Sequence, residues 1–282
     1  MNKMKLNDGT MMPSLGFGVF MVPDDGTCEQ AVSTALKVGY RLIDTAAAYM
    51  NECGVGKAIA ASGIPREEIY ITSKLWMQDY GYESAKKGIE RSLANLGVEY
   101  IDLYLLHQPY GDTAGAWKAL EEGVKEGKIK SIGISNHTVG LLQKLIPHMN
   151  ILPAVNQMEC NPLFQQTELR KYMEQYGVRL EAWFPLGHGD EKLINNETLL
   201  ELAKKYGKDV GQIILRWHLQ EGIIAIPKAT SESHIKGNID IFDFNLTEVE
   251  MAIIRSLDTG KGTHNPEDMS NETRLAQLKV HE

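Results

Sequence analysis

Short β-branched runs recur along this chain, and each is followed by a segment whose apolar residues repeat at helical spacing. The runs are "YRLIDT", "IYITSK", "IDLYLLH", "IKSIGISN", "PAVNQ", "VRLEAW" and "IIAIPK". Segments such as "GYESAKKGIERSLANLG" and "QQTELRKYMEQYG" between them carry apolar residues at i, i+3, i+4. The first six runs begin about 24 to 32 residues apart, the span of one βα unit. Gly39, Gly97, Gly127 and Gly177 stand where helices should close on a left-handed cap. An earlier strand at "LGFGVF" makes eight, and "MKLNDGTMMP" before it reads as a hairpin with Asn7-Asp8-Gly9 at its turn. A longer gap before the last strand holds an extra helix, "NNETLLELAKKYG". The pattern predicts an α/β fold: a (β/α)₈ TIM barrel with an N-terminal β-hairpin and extra C-terminal helices. A doubly wound sheet with a second domain competes, but no linker, charge run or low-complexity tract marks a boundary. Residues 1–282 are therefore expected to form a single barrel domain, with 259–282 as a variable C-terminal tail.

Buried parallel strands should be apolar along their length. Yet these end in polar residues: Asp44, Lys74, His107, Ser135 with Asn136, Gln157, and Lys228. In a parallel barrel all such ends meet at one face, where active sites sit. One polar end can be a satisfied cap, but six strands converging on unpaired polar groups would be costly without a purpose.

Tyr49 follows Asp44 by five residues. A phenol is a poor acid at neutral pH unless something stabilises its phenolate. A nearby ammonium would do so, and a carboxylate would hold that ammonium charged and oriented. Asp44, Lys74 and Tyr49 thus suggest a proton-donor relay, with His107 as a second donor that orients a carbonyl oxygen. That chemistry suits carbonyl reduction beside a hydride source. Taken singly each residue has a plainer explanation: Asp44 as a helix N-cap, Tyr49 as a half-buried core ring, Lys74 as a surface cation, His107 as a structural histidine. Only the joint pattern is informative.

Other chemistries find no footing. A net charge of −8 argues against a nucleic-acid surface. The eight histidines show neither HxH nor HExxH spacing, so no metal site is expected. Three widely spaced cysteines suggest reduced thiols. No signal-peptide stretch or long apolar run is visible, so a cytoplasmic protein without a membrane partner is expected, as a monomer or weak homo-oligomer. "ECGVGKAIA" glances at a phosphate loop, but Asn51 replaces its first Gly and Ala58 its hydroxyl residue. "GFGVF" lacks the third Gly of a dinucleotide fingerprint, and no Gly-x-Ser-x-Gly elbow is present. A phosphate site is better sought in "IPKATSESHIKGN", where a Lys and three hydroxyl residues lead into a helix. A well-capped final helix would use the same Thr230 or Ser231.

Taken in order, "LIDTAAAYMNE", "ITSKLW", "LYLLHQP", "IGISNH", "PAVNQMECNP" and "IPKATSESHIKGN" closely resemble the aldo-keto reductases, over about Lys5 to Asp258. The resemblance implies reduction of aldehydes and ketones to alcohols by an NADP(H)-dependent enzyme, with Tyr49 as general acid, Lys74 and Asp44 tuning it, and His107 orienting the carbonyl. It implies that Ser135, Asn136 and Gln157 hold the nicotinamide carboxamide and that Trp183 stacks on its ring; the plainer alternative for Trp183 is a core aromatic, and its place at a strand end favours stacking. Val19, Phe20, Leu186, Lys228, Ala229, Thr230, His234 and Asn238 would complete the cofactor site. Phe20, Trp76, His107 and Gln108 would face the substrate. NADPH is the expected cofactor, with NADH also accepted, because His234 and Ala229 stand where most relatives have Arg and Ser. Gln108 and Phe20 replace tryptophans, and the segment after His107 is short. These departures lead us to expect a permissive pocket favouring small or polar carbonyl compounds. The resemblance leaves one alternative class, a catalytically weak nicotinamide-binding regulatory subunit like the channel β-subunits of this fold.

Overall fold

The computed structural model describes residues 2–282. A two-stranded antiparallel hairpin, β1 (Lys3–Lys5) and β2 (Met11–Pro13), comes first. Eight parallel strands follow: β3 (Phe17–Gly18), β4 (Leu42–Asp44), β5 (Tyr70–Leu75), β6 (Ile101–Leu106), β7 (Ile129–Ser135), β8 (Val155–Glu159), β9 (Arg179–Trp183) and β10 (Ile224–Ala225). Each pairs with its neighbour in sequence, as right-handed βα crossovers dictate. Closure runs through a short seam between β3 and β10. There Gly16 N–H donates to Ala225 O (2.8 Å), Gly18 N–H to Pro227 O (3.0 Å) and Ala225 N–H to Ser14 O (3.1 Å). The (β/α)₈ expectation holds, hairpin and extra helices included.

Strands with two buried faces feed two apolar layers. One lies between the strands and the outer helices. The other fills the barrel with Leu42, Tyr70, Leu103, Leu105, Val155, Ile224 and Ile226, and the hairpin's Leu6 and Met12 close its base. Asn7 fastens the hairpin there, donating to Pro153 O (2.9 Å) and Tyr176 O (3.2 Å). Interior space is tight: a Cβ on Gly133 would lie 2.6 Å from Val155 O.

Local chemistry sets the element ends. Gly97, in the left-handed region at φ 63°, closes the helix Tyr82–Leu96 by donating its N–H to Ala94 O and Leu93 O. The extra helix Glu197–Tyr206 starts on Asn196, whose side chain accepts from Leu199 N–H. Asn51, the residue that spoiled the phosphate-loop pattern, has a structural task. Its amide donates to Val19 O and Val22 O, and its oxygen accepts from the Thr45 hydroxyl. It thereby ties the loop after β3 to the end of β4.

Candidate active site

The carboxyl ends of the strands open into a cavity of about 910 Å³ lined by Asp44, Tyr49, Trp76, His107, Gln108, Ser135, Asn136, Gln157, Trp183 and Lys228, among others. Register explains the grouping. Asp44 pairs with Thr72, and Lys74, two residues further along β5, shares the same inward face. Asp44 and Lys74 are buried at the ends of adjacent strands, while Tyr49 arrives on the short turn of helix at Ala47–Tyr49.

Lys74 Nζ donates to Asp44 Oδ1 at 2.6 Å, to Thr45 O at 2.9 Å and to Tyr49 Oη at 3.2 Å. Burial works against the Lys74 ammonium, but Asp44 and Tyr49 outweigh it and hold its pKa above the ordinary value. Burial raises Asp44, with Lys74 and the Gln157 hydrogen bond opposing. For Tyr49 the balance differs from the sequence expectation. Lys74 does favour the phenolate, yet desolvation is the larger effect and Asp44 adds to it, so the phenol lies above its usual value. The sequence could not weigh burial against the ammonium. Tyr49 consequently stays protonated across neutral pH, ready to donate.

His107 stands edge-on to both Tyr49 and Trp76, with ring centroids 5.5 and 5.2 Å away. Desolvation first, then Lys74, keeps it well below the usual histidine range, so the ring is neutral and carries one N–H. Its Nδ1 is buried with no partner among the described residues, which leaves Nε2 as the nitrogen suited to meet a substrate oxygen.

The residues expected to hold a carboxamide converge too, but several are already engaged. Asn136, at φ 61°, donates to His107 O (3.2 Å) and Gln108 Oε1 (3.4 Å) and accepts from Trp183 Nε1 (3.0 Å). Ser135 donates to Gln157 O (2.9 Å). Gln157 donates to Asp44 Oδ2 and to Glu181 Oε2, both at 2.8 Å. Both amide hydrogens are thus used, and the amide oxygen remains as a free acceptor on a cavity-lining side chain. Phe20, 47% exposed, tilts against Tyr49 at 5.1 Å. Leu186 and Lys228 also line the cavity, and Lys228 has no ion-pair partner among the described residues.

Of the residues expected at the adenosine end only Lys228 is in this lining, and the remaining cofactor candidates lie apart from it. Val19 and Ala229 are buried in the hydrophobic core, Thr230 and His234 are exposed, and Asn238 is half-buried. Ser231 caps the helix Glu232–Ile239, accepting from His234 N–H at 3.3 Å.

Two groups of residues at the site escaped the sequence reading. Glu181 sits in mid-strand, fully buried, and burial followed by repulsion from Asp44 pushes its pKa up to about 8. An acid inside "VRLEAW" was a visible signal, because a lone carboxylate has no place in a buried strand. The other group comes from Phe184 to Gly189 and from the tail: Phe184, His188, His264, Arg274, Leu275 and Leu278. Phe184 (φ 63°) and His188 (φ 50°) stack at 3.7 Å in left-handed backbone that no sequence pattern announces.

A parallel barrel with a buried Asp–Lys–Tyr chain and a neutral histidine at its carboxyl face defines a barrel oxidoreductase. The sequence pattern of the Aldo/keto reductase family matches residues 14–259, and the chain belongs to that family. It is 46% identical over 270 residues to a glyoxal reductase of Bacillus subtilis, covering 94% of this chain and 96% of that protein. To a methylglyoxal reductase of Escherichia coli it is 43% identical over 260 residues, covering 91% and 94%. The crystal structure of a Bombyx mori aldo-keto reductase in complex with NADP superposes with a TM-score of 0.87 at 34% identity, covering 96% of each chain.

Proposed function

We propose that this protein reduces small, polar aldehydes and ketones to alcohols with NADPH as reductant, α-dicarbonyls such as glyoxal and methylglyoxal foremost. The observation that carries the reading is the hydrogen-bonded chain Asp44–Lys74–Tyr49 ending at a cavity that His107 also faces. The names of the relatives support the substrate class, and the NADP complex supports the cofactor.

The cavity suits a nicotinamide. Gln157 offers an acceptor for a carboxamide N–H₂, the half-exposed Trp183 offers an aromatic face, and Lys228 offers an unpaired cation toward the phosphates. When bound, a reduced nicotinamide supplies two electrons and a proton's worth of hydrogen to the carbonyl carbon. The protein's own part is to bind, orient and protonate. His107 Nε2–H and Tyr49 Oη–H hold the carbonyl oxygen from two sides, polarising it and fixing its carbon. As negative charge grows on that oxygen, Tyr49 gives up its proton, and the Lys74 ammonium stabilises the phenolate left behind. Asp44 keeps Lys74 charged and aimed. Trp76, 2% exposed, forms a dry wall beside His107.

The test follows NADPH absorbance with methylglyoxal. Tyr49→Phe should lower kcat by about a thousandfold or more, within the range general acids supply, with NADPH affinity little changed. Lys74→Met should behave similarly. A Tyr49→Phe loss of only a few-fold would sink the assignment.

A further inference from the structure

Gln157 has its backbone and its side chain fixed by different groups. Its carbonyl oxygen accepts from Asn136 N–H (3.0 Å) and from the Ser135 hydroxyl (2.9 Å) at the end of β7. Its side-chain nitrogen lies between two carboxyl oxygens, Asp44 Oδ2 and Glu181 Oε2, at 2.8 Å from each. A glutamine amide carries two N–H donors and one oxygen, and a flipped amide would set that oxygen against the Asp44 carboxylate. With both hydrogens taken, the plane of the amide is fixed, and Oε1 is left as an acceptor on the cavity wall. With one bond only, the amide could pivot about it and carry Oε1 away.

Register puts Glu181 where it can do this. Gln157 pairs with Glu181 across the β8–β9 ladder, so the two side chains point into the barrel side by side. Asp44 reaches the same amide from β4, across the barrel. Glu181 is fully buried and absent from the cavity wall, so it acts there only through Gln157. An acid in mid-strand is expensive to bury, and an apolar residue would serve the packing of the barrel better. Burial and then Asp44 raise its pKa to about 8, so at neutral pH it is an uncharged acceptor rather than a counter-ion.

We propose that Glu181 is a positioning residue of the reduction: it locks the Gln157 amide so that Oε1 is presented to the carboxamide N–H₂ of the nicotinamide. The proposal rests on the carbonyl-reductase reading and adds to it a residue that touches neither cofactor nor substrate. Because Gln157 is ordered before the cofactor arrives, binding is spared the entropy of ordering it. The nicotinamide is then held at its carboxamide as well as by its face, which fixes the ring against the carbonyl.

The test compares NADPH with reduced 3-acetylpyridine adenine dinucleotide phosphate, in which a methyl ketone replaces the carboxamide and the N–H₂ donor is lost. Quenching of protein fluorescence at neutral pH gives both dissociation constants. The wild type should bind NADPH about three- to tenfold more tightly than the analogue, the size of one hydrogen bond. Glu181→Met, similar in shape but without a carboxyl, should weaken NADPH by about that factor and leave the analogue unchanged, bringing the ratio close to one. Glu181→Gln, which still offers Gln157 an oxygen, should keep the ratio. Should Glu181→Met fail to fold, Glu181→Leu takes its place. A ratio unmoved by the apolar variant, whether both cofactors weaken or neither does, makes Glu181 a packing residue and overturns the proposal. So does a ratio lost in Glu181→Gln, or equal affinity for the two cofactors in the wild type. A wild type that binds neither cofactor, or that leaves NADPH unoxidised with methylglyoxal, would instead remove the carbonyl-reductase reading beneath it.

Discussion

Glu181 shows how one side chain ties the site to the stability of the barrel. Its carboxyl lies under Gln157, whose amide bridges it to Asp44, and its second oxygen has no partner among the described residues. Two carboxylates share one ammonium, so the one farther from Lys74 keeps its proton. A carboxyl raised from its ordinary 4.5 to about 8 binds a proton in the folded chain that the unfolded chain has released. Its contribution to stability is therefore complete below pH 4.5 and is lost as pH climbs toward 8. Glutamine imitates the protonated acid without that penalty. Glu181→Gln should be more stable than the wild type by on the order of a few kcal/mol at pH 8, and by much less at pH 5. Urea unfolding at both values checks this, and a difference independent of pH would mean Glu181 is ionised in the fold. Asp44, Lys74 and His107 around it were legible because each stands at the end of a buried strand. Glu181 was passed over because it lies inside one.

Among the elements, the strands were the easiest to read. They are buried on both faces, so their apolar runs stand out between helical segments, and the register that brings Asp44 beside Lys74 follows from strand order. The left-handed turn through Phe184 and His188 and the anchored tail were not legible. Their positions depend on single long-range contacts, such as Glu159 with Thr263 and Trp76 with Leu278, rather than on any periodicity. Close packing between strands was hidden as well. Gly133 faces Val155 O so nearly that a methyl group there would press on backbone, which cannot step aside as a side chain would. Gly133→Ala should cost roughly 1–3 kcal/mol of unfolding free energy, the usual penalty of overpacking. Chemical denaturation would show this as a lower midpoint, and an unchanged midpoint would mean that β7 and β8 can separate at no cost.

For the molecule as a whole, buried histidines set the acid limit. His137 and His218 are fully enclosed, and desolvation depresses each to about 4, while His107 lies well below its ordinary value of 6.5. Such groups are neutral when folded and take up protons when unfolded. Their stabilisation is whole above pH 6.5 and drains away as pH falls toward 4, by up to roughly 3 kcal/mol for each of His137 and His218. Glu250, held at about 2, acts only below its ordinary 4.5, so a loss already measurable between pH 6.5 and 5 belongs to the histidines. Unfolding curves across that interval should move steadily to lower denaturant, and more steeply in Glu181→Gln, where the opposing carboxyl is gone. A flat profile there would contradict neutral histidines. The seam between β3 and β10 has a different consequence. Every other junction of the barrel is a continuous ladder, but this one is bridged at isolated points by Gly16, Gly18 and Ala225. Those amides should be the first of the barrel to trade their hydrogens for deuterium in D₂O, through openings far smaller than global unfolding. Because Phe20 and Lys228 flank the seam and face one cavity, a dinucleotide gripping both would lace the first strand to the last. NADPH should then slow exchange at Gly16, Gly18 and Ala225 more than at the β5–β6 ladder, turning an open-edged cylinder into a hoop.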